Sequence, residues 1–248
     1  MFNKKWPERK KWWDFKNWKI IKLKSKINPA AGQNFYFWAG IILMLIGFGV
    51  FLKLAVELSE QELAAFDGAF TGILFSRRSP LATIFMRYIT DLGSTVTVTI
   101  IPVLVTIIGL KRWRALDVLL YDLCLGGALG LSELLKYIFQ RSRPLHPWLA
   151  SAGGYSFPSG HALLSMTLYG FLAYLIIRNT QWSRWRKPAV GGLLLIPLLV
   201  GISRVYLGVH YPSDVLAGWS AAMAWVGSFI MFREYFVNGR KVKSEKRL

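Results

Sequence analysis

Apolar residues along this 248-residue chain fall in blocks, neither alternating as in a strand nor confined to one helical stripe. The blocks run to about 17–23 residues, the length at which a helix crosses a bilayer. They predict six spans, at roughly 35–56, 95–110, 115–139, 158–177, 188–206 and 213–232. Residues 63–75 are mildly amphipathic and follow the acidic run Glu57, Glu60, Glu62. A second short segment starts at Ser79-Pro80 and ends at Asp91. The first reads as short helices on the outer surface; the second is assigned no element. The Val, Ile and Thr of the second span do not oppose helix, because in lipid the backbone must bond to itself. Gly126, Gly127, Ala128 and Gly130 in the third span are small enough for helices to approach closely. Pro158 before a long apolar run marks the first turn of the fourth.

The pattern therefore predicts an all-α polytopic membrane protein, a bundle of six transmembrane helices with short extracytoplasmic helices. A basic, tryptophan-rich N-terminal tail (1–34) and a basic C-terminal tail (233–248) flank a membrane domain (35–232). A composition of 54% apolar residues and a mean hydropathy of +0.37 agree. A net charge of +18 would suggest nucleic acid on a soluble fold. Here the basic residues lie between and outside the apolar blocks, so no nucleic-acid partner is expected. The two tails and the turns at 111–114 and 178–187 hold 10, 6, 3 and 4 of the 31 lysines and arginines. Positive charge accumulates on the cytoplasmic side, so both termini are expected there, in a multi-pass cell-membrane protein. The N-terminal tail, with Trp6, Trp12, Trp13 and Trp18 among its lysines, sets topology or lies on anionic headgroups. No cleavable signal peptide is evident. The one cysteine, Cys124, lies in an apolar block and reads as packing.

Counting spans from that assignment brings three polar clusters to the outer face. The first is Lys136 with Arg143-Pro144, two cations at the end of the third span that can neutralise a phosphate; the bland reading is snorkelling. The second is Pro158-Ser159-Gly160-His161, where a hydroxyl, a glycine N–H and a helix start make an anion site. The bland reading there is an ordinary cap with a buried histidine. The third is Arg204, His210 and Asp214, between the last two spans. A histidine with a carboxylate four residues on can act as a nucleophile held in one tautomer. An arginine can clamp phosphate with its planar fork. Phosphoryl transfer is mostly positioning and charge stabilisation, which these groups supply without a metal. No metal or other cofactor is expected. His210 can attack phosphorus with Asp214 on its other nitrogen, and His161 can protonate the departing oxygen.

Lys136 with six residues before Arg143-Pro144, then Pro158-Ser159-Gly160-His161, then Ser203-Arg204 with five residues before His210 and three more before Asp214, resembles the type-2 phosphatidic acid phosphatase superfamily over roughly residues 80–232. The resemblance implies metal-independent hydrolysis of a lipid phosphate or diphosphate through a phosphohistidine intermediate. It makes His210 the nucleophile, Asp214 its partner and His161 the general acid, with Lys136, Arg143, Ser159, Gly160 and Arg204 binding phosphate. Vanadium haloperoxidases share these motifs but are soluble. Undecaprenyl diphosphate, phosphatidylglycerol phosphate and phosphatidate are all candidate substrates. A lipid phosphotransferase using the same site, or a non-enzymatic phosphate-binding membrane protein, remain alternatives. Oligomeric state is open, as are the roles of His146, Asp91 and Glu133; the last two either orient cations or are structural.

Overall fold

The computed structural model describes residues 29–145, 147–180 and 184–245. Among the described residues are eight helices: α1 (Pro29–Ser59), α2 (Ala64–Phe75), α3 (Pro80–Asp91), α4 (Thr95–Arg112), α5 (Ala115–Phe139), α6 (Gly160–Asn179), α7 (Arg186–Tyr206) and α8 (Pro212–Glu245). Six of them, all but α2 and α3, are long and apolar enough to span a membrane. The sequence expectation of six spans with short helices after the first therefore holds, and α3 is a helix where the sequence reading assigned no element.

Three boundaries differ. α1 starts at Pro29, inside the segment read as tail, and α8 continues to Glu245, past the expected end at 232. Hydropathy marks where lipid ends, whereas backbone hydrogen bonding carries a helix on into water. α6 begins at Gly160, with Ser159 extended as its N-cap, so Pro158 precedes the helix and is not in its first turn. Residues 1–28, with the tail's tryptophans, and His146 lie outside the described residues.

Helix α6 is the axis of the bundle. It is the most enclosed span, with 67% of its apolar window buried against 11% for α4. It packs against α5, α7 and α8; α1 lies along α8, and α4 along α5. The closest approach is between α1 and α8. A Cβ on Gly47 would lie 2.5 Å from the Ala224 backbone nitrogen, and one on Gly227 would lie 2.6 Å from that of Met44. Helix association in lipid relies on such small residues, because burying apolar surface there gains nothing over lipid itself. In α5 only part of the expected small-residue face is used. Gly127 packs on Trp225 and Ala128 is buried, but Gly126 and Gly130 face open space.

The two short helices are docked by polar contacts. Ser79 caps α3 by accepting from the Ala82 N–H (3.2 Å), with Pro80 at its first position. Tyr206 of α7 accepts from the Ser79 N–H through its hydroxyl (3.1 Å), and its carbonyl accepts from Arg78 Nη2 (2.7 Å). These bonds clip α3 against the end of α7.

At the opposite end of the bundle, Arg233 of α8 donates through Nε and Nη2 to both oxygens of Asp117 on α5 (2.8 and 3.1 Å). Its Nη1 reaches Glu234 (2.9 Å), which also accepts from Tyr174 and Arg178 of α6. Asp117 and Glu234 are fully buried. Removing one partner of such a network strands a buried charge. Asp117→Asn is therefore expected to cost about 3–5 kcal/mol of stability. That would read as a lower melting temperature in detergent, with activity per folded molecule unchanged.

Candidate active site

The site sits where α5, α6, α7 and α8 end or begin, closed by the loop from Gln140 to Ser159. Gln140 caps α5 in the left-handed region (φ 44°), which turns the chain so that Arg141 and Arg143 point back over the helix ends. Ser156 N–H donates to Arg141 O (2.8 Å), Leu149 N–H to Leu207 O (2.9 Å) and Ser159 N–H to Asp214 O (2.9 Å). These bonds pin the loop to the α7–α8 turn and join the N-terminus of α6 to that of α8. Gly208, at φ +80°, makes the tight turn after α7; a Cβ there would meet Arg78 at 2.9 Å.

His210 is buried, and its two ring nitrogens are differently engaged. Arg143 Nη1 lies 3.1 Å from Nε2. Because a guanidinium only donates, Nε2 carries the lone pair and Nδ1 the hydrogen. Nδ1 faces Asp214 Oδ2 at 3.5 Å and Ser156 Oγ at 3.4 Å. Asp214 Oδ2 also accepts from Ser156 Oγ (2.5 Å) and the Tyr211 N–H (2.9 Å), while Oδ1 accepts from Arg141 Nη1 (2.6 Å). The carboxylate is thus held at both oxygens and turned towards the imidazole.

Burial pushes the His210 imidazole down to about 4 from its ordinary 6.5; Asp214 opposes that shift, and Arg143 and Arg204 add to it. At pH 7 the ring is a free base. Lowering the pH through that value puts a proton on Nε2 and removes the lone pair. The acid limb of kcat/KM is accordingly expected near pH 4, measured as a pH–rate profile of the free enzyme. A midpoint near 6.5 would mean the ring is solvated as in a peptide.

The cations converge on the same point. Arg143 is fixed by main-chain carbonyls: Nε donates to Gly154 O (3.0 Å), Nη1 to Val209 O (2.7 Å) and Nη2 to Gly153 O (2.6 Å). Arg204, 3% exposed, donates from Nη1 to Thr90 Oγ1 on α3 (2.9 Å), and its buried Nε has no partner within the described residues. Lys136 Nζ sits over the start of α6, 3.3 Å from where a Gly160 Cβ would be; Glu133 holds it at 2.7 Å. Ser159 Oγ and Ser132 Oγ, both buried at this helix start, are likewise unpartnered within the described residues. His161, in the first turn of α6, interacts electrostatically with Arg204, His210, Lys136 and Arg143. Its ring lies against the α3–α4 turn, where a Gly93 Cβ would meet it at 3.5 Å.

All eight residues expected from the sequence thus meet at one end of the bundle. Three groups that touch them were not anticipated, Arg141, Ser156 and Thr90, and Asp67 joins them through Arg141. Asp67 had a signal, being the one carboxylate within the otherwise apolar α2. Glu133 does orient a cation. Asp91 acts on Arg204 through its charge.

Known proteins resemble this chain in sequence and in fold. The family model described as PAP2 superfamily matches residues 117–238. A curated phosphatidylglycerophosphatase B from Bacillus subtilis is 33% identical over 70% of this chain and 86% of its own length. An undecaprenyl-diphosphatase from Sulfolobus acidocaldarius is 30% identical over 81% of this chain and 90% of its own. Among solved structures, a transmembrane PAP2-type phosphatidylglycerolphosphate phosphatase from Bacillus subtilis superposes with a TM-score of 0.69 at 29% identity, covering 79% of this chain and 98% of that one.

Proposed function

The chain belongs to the PAP2 superfamily and is a membrane lipid phosphatase of that type, and we propose that it hydrolyses a phosphomonoester or diphosphate headgroup at the extracytoplasmic face through a phosphohistidine on His210. The observation that carries the chemistry is the division of labour on the His210 ring. Nδ1–H faces Asp214, and the Nε2 lone pair faces the cations.

The substrate phosphoryl group takes the place of Nε2 as the acceptor for Arg143, and also engages Arg204, Lys136, Ser159 and the Gly160 N–H. The Nε2 lone pair forms an N–P bond as the P–O bond to the leaving group breaks, a lipid alcohol from a monoester or a lipid phosphate from a diphosphate. The departing oxygen takes its proton from His161, whose protonated form is favoured by the negative charge of the bound phosphoryl group. Positive charge developing on the His210 ring is offset by Asp214. Water then attacks the phosphohistidine with His161 as base, the N–P bond breaks, and inorganic phosphate leaves with His210 restored. The spread negative charge of each transition state is met by fixed cations and the α6 N-terminus.

The side of the membrane rests on charge. By span count the basic turns at 111–114 and 178–187 and the basic tails belong to the side opposite the site, which fits the cytoplasm. The tails at 1–34 and 233–248, apart from the buried Arg233 and Glu234, set that orientation and contact anionic headgroups, and the membrane domain between them carries the chemistry. On substrate, the names of the relatives support phosphatidylglycerol phosphate and an isoprenoid diphosphate.

Purified protein in excess chelator is expected to release phosphate from at least one of phosphatidylglycerol phosphate, undecaprenyl diphosphate and phosphatidate. A strict divalent-cation requirement would overturn the mechanism. Transfer of the phosphoryl group to an added lipid alcohol in place of water would identify a phosphotransferase.

A further inference from the structure

Arg141 lies outside the motif residues, yet it makes the shortest ion pair in the site. Its Nη1 donates to Asp214 Oδ1 (2.6 Å) and to Ser213 Oγ (2.7 Å), and its Nη2 donates to Asp67 Oδ2 (2.7 Å). Asp67 in turn accepts from the Ser213 N–H (2.9 Å) and the Ser213 hydroxyl (2.7 Å), at the first turn of α8. The Tyr211 ring stacks on the guanidinium at 4.1 Å. Asp67 is 3% exposed and Asp214 is fully buried. Two buried carboxylates are thus bridged by one arginine, with Ser213 closing the ring.

We infer that Arg141, anchored by Asp67, is a positioning residue that fixes the Asp214 carboxylate towards His210, making α2 part of the phosphatase machinery. The inference rests on the reading of His210 and Asp214 given above.

Asp214 Oδ2 is held by Ser156 and Tyr211, but no other side chain bonds Oδ1 among the described residues. Without Arg141 the carboxylate gains a rotational freedom and a buried, uncompensated oxygen. Electrostatics point the same way. The guanidinium draws on the Asp214 charge, so the proton stays on Nδ1 of His210 and does not transfer to the carboxylate. Asp67 holds the other edge of the fork and keeps Arg141 from swinging to the phosphate, where Arg143 and Arg204 already serve. Helix α2 is otherwise weakly committed to the bundle: Phe70 and Ile73 are 50% and 60% exposed. Its one buried polar group is the one that reaches the site.

The test compares wild type with Arg141→Gln, Arg141→Lys, Asp67→Asn and the Asp67→Asn/Arg141→Gln pair, in full-length protein in detergent, with His210→Ala as the reference. Arg141→Gln is expected to lower kcat about ten- to hundredfold, with KM within about threefold, as for other outer partners of a working histidine. It should also move the acid limb of kcat/KM upward. His210 is faced by Asp214, Arg143, Arg204 and His161. Of these only Asp214 touches Arg141, and losing the cation leaves Asp214 more negative towards the ring. Arg141→Lys should recover part of kcat. The paired variant should be no worse than Arg141→Gln, because both act through one contact. A role confined to stability would lower the melting temperature and leave the pH profile in place. If Arg141→Gln does not fold, Asp67→Asn decides: wild-type kcat and an unmoved acid limb overturn the inference. Those same values in Arg141→Gln, beside a dead His210→Ala, also overturn it. Turnover retained in His210→Ala would instead sink the underlying mechanism.

Discussion

His210→Ala is expected to abolish turnover, lowering kcat by roughly 10⁴–10⁶-fold, the scale seen when the nucleophile of an interdependent set is removed. The size follows from the site's construction. Arg143, Arg204 and Lys136 can hold a phosphate without His210, since Arg143 is anchored on backbone carbonyls and Arg204 on Thr90. What is lost is the Nε2 lone pair, and no second group stands in its place: Asp214 is turned to Nδ1 and engaged at both oxygens. KM is therefore expected to change little while kcat collapses. Acid-labile, base-stable label from a radioactive substrate should appear on wild type during turnover and be absent from the variant. Undiminished phosphate release from a correctly folded His210→Ala would overturn the assignment.

Arg143→Ala is expected to be the second largest loss, about 10²–10³-fold in kcat, or about 2.7–4 kcal/mol, the scale of one lost oxyanion donor. Arg143 is held in place before substrate arrives, so its help in the transition state costs no reorganisation. It also sets the tautomer of His210, because its donation to Nε2 requires that nitrogen to be unprotonated. Burial lowers the Arg143 pKa, with Asp214 opposing, and the guanidinium stays charged to meet the phosphoryl group. Steady-state kinetics on each candidate substrate would check this. A wild-type rate in Arg143→Ala would remove the phosphate clamp from the mechanism. Arg143→Lys should recover little, since an ammonium cannot span the Gly153, Gly154 and Val209 carbonyls while also reaching Nε2.

Hydropathy alone determined the six spans, because a membrane helix must satisfy its own backbone and has to be as long as lipid is thick. The order and spacing of Lys136, Arg143, Ser159, Gly160, His161, Arg204, His210 and Asp214 determined which groups share one end, since counting spans assigns ends without any coordinates. It could not show which atom meets which. The tautomer of His210 follows from Arg143 standing on Nε2, and that depends on Gln140 turning the chain at the end of α5. The part of α2 was equally hidden. Asp67 lies 74 residues before Arg141 and 147 before Asp214, and only packing brings its carboxylate beneath them. The glycine contacts that press α1 onto α8 were hidden for the same reason. Periodicity reports which face is apolar or polar relative to solvent and lipid, whereas partner choice within a bundle is set by close steric fit and by pairing of buried charge, and both depend on three-dimensional neighbours.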